Sequence, residues 1–469
     1  MSREKNLVKN TLVISIGTFL PKLTSLVTLP IITAGLTKVE YGTYDLISTL
    51  VSLLLPIVTM QIQAAAFRFL IDCREDKKKT DSIITNIMLF SIPVFIIFLI
   101  ILYIALRDLG GVTGLLICLY FFADIMMMTI LQVVRGLSYN KLYSASAVIQ
   151  SVINMLLVVY TISLKDWGLY GVLFSVSIAT LVSVGFLICR GHILAHLNIK
   201  YFNWAEIKSM LSYSWPMVPN SLSNWVLSLA DRAVLTAFIG LEATALYAVA
   251  NKIPMLFTTF QGTFIFAWQE NASLAIKDKD ADDYYTKMFD YVFRIICGMM
   301  AVLISCTPVI FTLLIRGDYS ASYTQMPILF MALLFSAGAS FLGGIYVAHK
   351  KTKNVGMTTI IAAAINLIID LLFVKKIGLF AASISTLVSY LFLFIYRMFN
   401  VRRFQVIKYD YAKISLFIGT LVFMCILCWM NTLSFNIINV VIGFAFALLI
   451  NRKIATDILN IFKNKLGRH

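Results

Sequence analysis

The sequence predicts an all-α polytopic membrane protein with fourteen transmembrane helices. They form two pseudo-symmetric six-helix lobes followed by two C-terminal helices. Three observations predict this. First, 60% of the 469 residues are hydrophobic and only 13% are charged, where a soluble chain carries about 25%, and the mean hydropathy is +0.87. Second, the basic residues sit in short runs between apolar stretches. Third, the second half of the chain echoes the first.

A spanning helix needs about 20 apolar residues. Stretches of that kind lie at 11–37, 44–70, 83–106, 112–134, 144–164, 168–190, 211–239, 243–270, 288–315, 324–348, 356–374, 378–398, 413–430 and 433–450. Pro21, Pro30, Pro56, Pro216, Pro219 and Pro254 fall inside the longer ones, so kinks or tilts are expected there. The basic N-terminus followed by apolar residues resembles a signal peptide, but the apolar run outlasts a signal core and is read as a retained first helix.

With the N-terminus placed in the cytoplasm, the inside segments hold 28 of the 39 bases, from Arg3, Lys5 and Lys9 through Arg397 to Arg468. The outside turns hold only Lys38, Arg107, Lys165, Arg316, Lys375 and Lys376. This asymmetry satisfies the positive-inside rule and places both termini in the cytoplasm. The same distribution accounts for the net charge of +16 without a nucleic-acid partner.

The repeat is carried by turns. Trp167-Gly168-Leu169-Tyr170-Gly171-Val172 leads into the sixth stretch, with Asn154 in the helix before it. Ile377-Gly378-Leu379-Phe380-Ala381-Ala382 leads into the twelfth, with Asn366 before it. The Gly35–Tyr44 turn is echoed by Ile239–Tyr247. Both halves start from the same side, so they read as parallel repeats about an axis along the membrane normal. The expected division is an N-lobe at 1–210, a C-lobe at 211–400, and a helix pair with a basic tail at 401–469.

No connector exceeds about twenty residues, so no soluble domain fits. There is no G-x-x-x-x-G-K-[ST] and no G-x-S-x-G, hence no built-in nucleotide motor or hydrolase elbow. The chain reads as a non-enzyme that needs no cofactor. Of the seven cysteines, all but Cys73 fall in apolar segments or at their ends, and the Cys425-x-x-Cys428 pair reads as helix packing. His192 and His196 have metal-compatible spacing but no third ligand nearby in sequence, so no metal site is assigned.

Charges at membrane depth are costly and usually face a cavity or a partner. The deep ionisable groups are Lys22, Asp124, Asp231, Arg232 and Lys252; Arg68 and Arg294 lie nearer the cytoplasmic ends. Three bases against two acids give the five deep groups a net positive charge, which suits an anion. The expected cationic cavity is Lys22, Arg232 and Lys252, with Arg68 and Arg294 either meeting the anion or reaching the headgroups. Asp231 and Arg232 point about 100° apart on a helix, so each should have its own partner. Asp124 is either a proton site or a structural partner of Lys22 or another base. Asp370 and Glu270 are expected to be solvated at helix ends. The amides Asn154, Asn366, Gln132, Gln150 and Gln261 are expected to bond neighbouring helices.

Several runs carry a family resemblance over essentially the whole chain. They are Gly17–Leu23 with Leu29-Pro30-Ile31, Glu40–Tyr44, Ala66–Phe69, Trp215-Pro216-Met217-Val218-Pro219-Asn220, Asp231-Arg232, Tyr247 with Ala250 and Lys252, and Gly378–Ala382. In order and spacing they resemble the polysaccharide-transport flippases, the O-antigen and capsule repeat-unit branch of the multidrug/oligosaccharidyl-lipid/polysaccharide exporter superfamily. At the Gly378 turn, Phe380 and Ala381 replace that family's usual middle residues.

The resemblance implies a flippase moving undecaprenyl-pyrophosphate-linked oligosaccharides across a bacterial plasma membrane, next to polymerase and ligase machinery. Lipid II flippases, relatives within the superfamily, carry several cavity arginines. Only Lys22 and Lys252 look like counterparts here, and Thr28 stands near the place of a missing first-helix arginine. A cation-coupled drug antiporter of the same fold would want acids to dominate. A glycosyl polymerase or ligase would need a large outer loop, which is missing.

Overall fold

In the computed structural model, residues 20–73, 75–276 and 280–452 are described. Gly17–Phe19, Arg3, Lys5, Lys9, Arg74, Lys277, Lys279, Lys453, Lys463, Lys465 and Arg468 lie outside the described residues, as does the side chain of Glu270.

The described chain is helical throughout, as bilayer-crossing backbone must be when every N–H and C=O is satisfied within the protein. The helices are α1 Leu20–Gly35, α2 Lys38–Val58, α3 Ile62–Asp72, α4 Lys77–Ala105, α5 Gly111–Gly136, α6 Asn140–Val158, α7 Gly168–Arg190, α8 Trp204–Ser214, α9 Met217–Phe238, α10 Leu241–Ala275, α11 Ala281–Leu314, α12 Ser320–Ala348, α13 Thr352–Ile377, α14 Leu379–Asn400, α15 Tyr411–Met430 and α16 Leu433–Ile450. Among the described residues, eleven helices are long and apolar enough to cross a membrane; α1, α9 and α10 are not among the eleven. The chain is a multi-pass membrane protein.

Two of the expected stretches are broken rather than continuous. The 44–70 stretch becomes α2 and α3. Pro56 lies in the last turn of α2, and the chain then passes through Met60 (φ 48°) and Gln61 (φ 56°) in the left-handed region. Thr59 closes the break by donating to the Leu55 carbonyl (2.8 Å) while accepting from the Gln61 amide (3.2 Å). The 211–239 stretch is likewise split, at Trp215-Pro216, into α8 and α9. Proline cannot supply an N–H to the helix ladder, so breaks near it are expected.

The turns singled out in the sequence have a physical cause. Thr37 and Glu40 form a reciprocal capping box at the start of α2. The other Glu40 oxygen accepts from the Leu169 amide (3.3 Å) at the start of α7. Gly168 has φ +52°, and a Cβ there would come within 2.3 Å of the Glu40 carboxylate. Gly378 repeats the left-handed conformation, φ +59°, at the start of α14.

Contacts divide the chain into two compact units, Met1–Thr236 with Gly240–Ala245, and Ala237–Ile239 with Leu246–His469. In the first, α7 packs on α5 and α6. One core cluster joins α3, α4, α5 and α8 through Leu70, Ile84, Ile130 and Ile207. In the second, α14 packs on α12 and α13, and α11 carries α15 and α16. Here Trp268 stacks on Phe341 (4.2 Å between ring centroids) and donates to its carbonyl (2.8 Å).

Gly42 marks the tightest approach in the first unit: a Cβ there would lie 2.0 Å from the Leu241 carbonyl oxygen. Gly42→Ala should lower stability by about 1–3 kcal/mol, the usual cost of overpacking. Gly185→Ala, where a Cβ meets nothing within 4 Å, should be neutral or stabilising. Thermal unfolding of the two variants in one detergent checks the contrast.

Candidate functional site: a charged cluster in the first unit

The site is built from α1, α2, α5 and α9. Lys22 stands thirteen residues before the Gly35 end of α1, roughly 20 Å from it at 1.5 Å per residue. Asp124 stands thirteen residues into α5, so roughly 20 Å from its own start by the same rise. Both are partly buried. Neither the Lys22 ammonium nor the Asp124 carboxylate has an ion pair or hydrogen bond among the described residues. Of the two alternatives for Asp124, a pair with Lys22 is not seen among the described residues.

Arg232 has found a different acid. Its guanidinium donates to Asp45 on α2 at 3.2 Å, with 9% and 5% of the two side chains exposed. Asp231, its neighbour, is 3% exposed. The pair is held by one contact: Asp45 Oδ2 and Arg232 Nε are both buried without a hydrogen bond. Asp45 and Asp124 both act electrostatically on the phenols of Tyr44 and Tyr120. The Tyr120 hydroxyl reaches Ser48 at 3.4 Å. Asp45 and Asp124 therefore lie within electrostatic reach of the same two tyrosines of α2 and α5, and Asp45 alone of these groups is seen to bind Arg232.

Polar contacts tie α9 to both halves of the broken second stretch. Trp225 Nε1 donates to the Thr49 carbonyl (3.1 Å) and to Ser52 (3.2 Å). At the break itself, Gln61 donates to Ser221 (3.0 Å). Thr236 and Thr244 share a hydrogen bond of 2.7 Å, and both donate to the Arg232 carbonyl, at 2.9 and 3.4 Å.

The remaining predicted residues lie elsewhere. Arg68 is about half exposed and paired with Asp72 one turn on, so it is not in a buried cationic site. Arg294 pairs with Asp290 and reaches the Ile450 carbonyl (3.5 Å), which ties α11 to the end of α16. That is a structural role for Arg294 and a correction to its expected place beside the substrate. Lys252 is on α10 in the second unit and partly buried. His196 binds Asp81 (2.6 Å).

Three residues were misplaced or missed. Asp45 was not singled out, although an acid inside an apolar stretch with no base within a helical turn was the available signal. Asp370, expected at a solvated end, is fully buried on α13. Asn366, one turn before it, donates to Ser385 (3.3 Å) and Thr386 (3.5 Å). Arg397, assigned to a connector, is buried. It donates to the Ala339 and Val355 carbonyls and to Thr358 and Thr359, which staples α12, α13 and α14 together. With Asp45, Asp370 and Arg397 included, four acids (Asp45, Asp124, Asp231, Asp370) stand against four bases (Lys22, Arg232, Lys252, Arg397). The expected excess of bases is gone.

Two of the amides bond a neighbouring helix as expected, Gln150 donating to Thr180 (2.7 Å) and Gln261 to Ser340 (2.9 Å), whereas Gln132 accepts from Arg135 of its own helix (3.4 Å).

Many apolar helices with buried charges and a broken spanning segment define a membrane-transport class of fold. The chain belongs to the polysaccharide biosynthesis protein family, whose model matches residues 7–269. It is similar in structure to the lipid II flippase MurJ in an inward closed conformation, with a TM-score of 0.68 and 15% identity, over 96% of this chain and all of that one. It is also similar to an inward-facing multidrug resistance MATE family transporter of the MOP superfamily, with a TM-score of 0.67 and 14% identity over 83% and 98%. A MOP superfamily transporter from Pyrococcus furiosus matches with a TM-score of 0.58 and 14% identity over 86% and 96%. These likenesses establish the fold. In sequence, 210 residues are 24% identical to an uncharacterized membrane protein of Methanocaldococcus jannaschii. That match takes in 43% of this chain and spans 41% of the length of that relative.

Breaking a buried ion pair by removing one partner typically costs about 3–5 kcal/mol, while replacing both by apolar groups is nearly neutral. Asp45→Leu and Arg232→Met should each lower the thermal midpoint markedly. The double variant should be much less destabilised than the sum. Additive losses in a double-mutant cycle would show that the two side chains do not depend on one another.

Proposed function

We propose that this protein is a flippase for lipid-linked oligosaccharides carrying a pyrophosphate, moving undecaprenyl-linked O-antigen or capsular repeat units to the outer leaflet of a bacterial plasma membrane. In this reading fourteen helices form two six-helix lobes, at 1–210 and 211–400, with 401–469 as an appended pair and tail. Both termini are cytoplasmic, and the lobes alternate access. Family membership supports the substrate class. The observation that carries the site is Lys22: a partly buried lysine with no carboxylate against it among the described residues, while Arg232 is neutralised by Asp45. Lys252 is the second cation assigned to the substrate, from the second unit. Arg232 is assigned to holding the first unit together, with its orphaned Nε available to a phosphate oxygen.

A lysine at the centre of a spanning helix costs about 3 kcal/mol on insertion scales. A pyrophosphate offsets that cost by charge pairing and is attracted more strongly in the low dielectric than in water. No residue here supplies ATP hydrolysis, so direction comes from a gradient or from consumption of the product by polymerase or ligase machinery outside. Lys22→Ala and Lys22→Gln should impair surface polysaccharide at normal protein levels. Lys22→Arg should keep part of the activity, because a mobile phosphate needs charge more than shape. Lys252→Ala should be milder. Complementation of a flippase deletion, at matched membrane abundance, reads this directly, and wild-type complementation by Lys22→Ala would remove the cationic site.

The buried acids favour a second reading. Asp124, without a partner among the described residues and in electrostatic reach of the same tyrosines as Asp45, suits a proton- or cation-coupled antiporter, or a coupled flippase. If Asp124 carries the coupling proton, Asp124→Asn should abolish the pH dependence of transport in proteoliposomes while leaving the protein folded. A pH profile that survives the substitution removes Asp124 from coupling.

A further inference from the structure

The segment from Gly191 to Pro216 links α7 to α9 in the first unit, and it is apolar on two opposite sides. Its inner side is fixed. Ile193, Ile207 and Met210 are fully or almost fully buried in the core cluster with Ile83, Ile84 and Ile87 of α4. A polar stripe on the first turns of α4 holds the rest. Asp81 binds His196 (2.6 Å), and Thr85 donates to the His196 carbonyl (3.1 Å) while accepting from the Asn198 amide (3.0 Å). Ser82 donates to Glu206 (2.6 Å). Asn86 donates to the Tyr201 carbonyl (3.1 Å) and accepts from the Asn203 amide (2.8 Å). The segment is a strap laid across one end of α4.

Apolar side chains are exposed along its length: Leu194 is 65% exposed, Ile199 78%, Phe202 54%, Trp204 59% and Trp215 56%, while Tyr213 packs edge-on against Phe69. So many large apolar groups on one short segment would be unfavourable in water.

Depth along α4 identifies what covers it. α4 has 29 residues, roughly 43 Å of helix at 1.5 Å per residue, against a hydrocarbon core of about 30 Å. The excess lies at the Lys77 end, where the first turns are polar. The exposed apolar row that faces lipid begins at Ile92 and runs through Ile96, Ile97, Ile100, Ile101 and Ile104. A core of about 30 Å counted back from Ala105 ends near Asn86, so the strap's bonds to Asp81 through Asn86 lie within about 8 Å outside its edge. That is headgroup depth, where Trp and Tyr are enriched.

Charge agrees. Arg190, Lys200, Lys208 and Lys77 to Lys79 are exposed at this end, against exposed Glu75 and Asp76. Lys208 follows Trp204 by one helical turn on the same face of α8, so its stem can lie over the ring while the ammonium reaches phosphate.

We propose that this strap is an in-plane membrane anchor whose outer face inserts into the headgroup region and whose lysines bind anionic lipid. The partner is the bilayer the chain already crosses, and the proposal stands whatever substrate is carried. Because the strap runs directly into α9, lipid binding there would bear on the position of the helix that carries Asp231 and Arg232.

The test uses the full-length protein in nanodiscs. Ile199→Cys and Leu194→Cys, both at exposed positions, are labelled with a polarity-sensitive fluorophore, with the wild type labelled in parallel to subtract native thiols. The expected result at both sites is emission shifted to the blue and quenched by lipids brominated high in the acyl chain, with little quenching by aqueous iodide. Iodide quenching without bromolipid quenching at either site overturns the anchor. Adding phosphatidylglycerol to phosphatidylcholine discs should deepen the blue shift, and Lys200→Gln with Lys208→Gln should abolish that gain. A label indifferent to phosphatidylglycerol in the parent protein overturns the anionic-lipid assignment.

Discussion

The Asp45–Arg232 pair is the interaction on which the first unit depends. Two charges taken out of water are tolerated only when each compensates the other, and a single 3.2 Å contact does that here. The pair therefore fixes α9 against α2. Trp225 and Gln61 extend the same seam with hydrogen bonds further along it, on the side of the α2–α3 break. The broken α2–α3 helix follows from this. Gln61 can donate to Ser221 because the chain leaves the helix there and turns its side chain across. A continuous helix would have aimed it elsewhere. The left-handed Met60 and Gln61 are strained for residues with a Cβ, and such strain persists where the surroundings over-determine it.

The helices were legible because the bilayer leaves the backbone few choices. Once a stretch is apolar and long, it must be a helix, and every stretch marked in the sequence carries one. The glycine turns were legible for a local reason: Gly168 and Gly378 need positive φ, and a side chain at Gly168 would strike Glu40. Glu40 itself caps α2 and reaches α7, a double role that short-range spacing shows only in half, through Thr37.

What was not legible is pairing. Hydropathy reports depth along one helix and says nothing about what faces it. Asp45 was hidden because it lies seven residues into α2, beside a stretch boundary placed at Tyr44. Arg397 ends an apolar run and so reads as a connector base, yet α13 offers it two threonine hydroxyls and a carbonyl, and it is buried instead. Arg294 reads as a base near the cytoplasmic end that meets an anion or the headgroups, yet a carboxylate is one turn away and its second contact is the end of α16. In each case the partner lies on another helix or past the apparent end of the span. The breaks at 59–61 and 215–216 were half legible. Proline announces a disturbance, but tertiary contacts decide whether it becomes a kink or a new helix; Pro254 stays inside an unbroken α10.

The different fates of the two deep cations in the first unit bear on mechanism. Arg232 is matched by a fixed acid, so moving it alone would leave Asp45 as an uncompensated buried charge. It is suited to staying put while neighbouring groups rearrange. Lys22 has no such tether among the described residues. Under the proposed flippase reading, a lysine with no fixed acid among the described residues would be compensated by a mobile counter-charge for part of the cycle. An anionic substrate is one such partner. Asp124, also without a tether, is another if the helices approach one another differently in a second state. The two possibilities are complementary. An acid that takes the lysine once the anion has left would keep the empty protein neutral through its return. Transport that uses one lysine twice needs an untethered base and an untethered acid in the same unit, and Lys22 and Asp124 are such a pair.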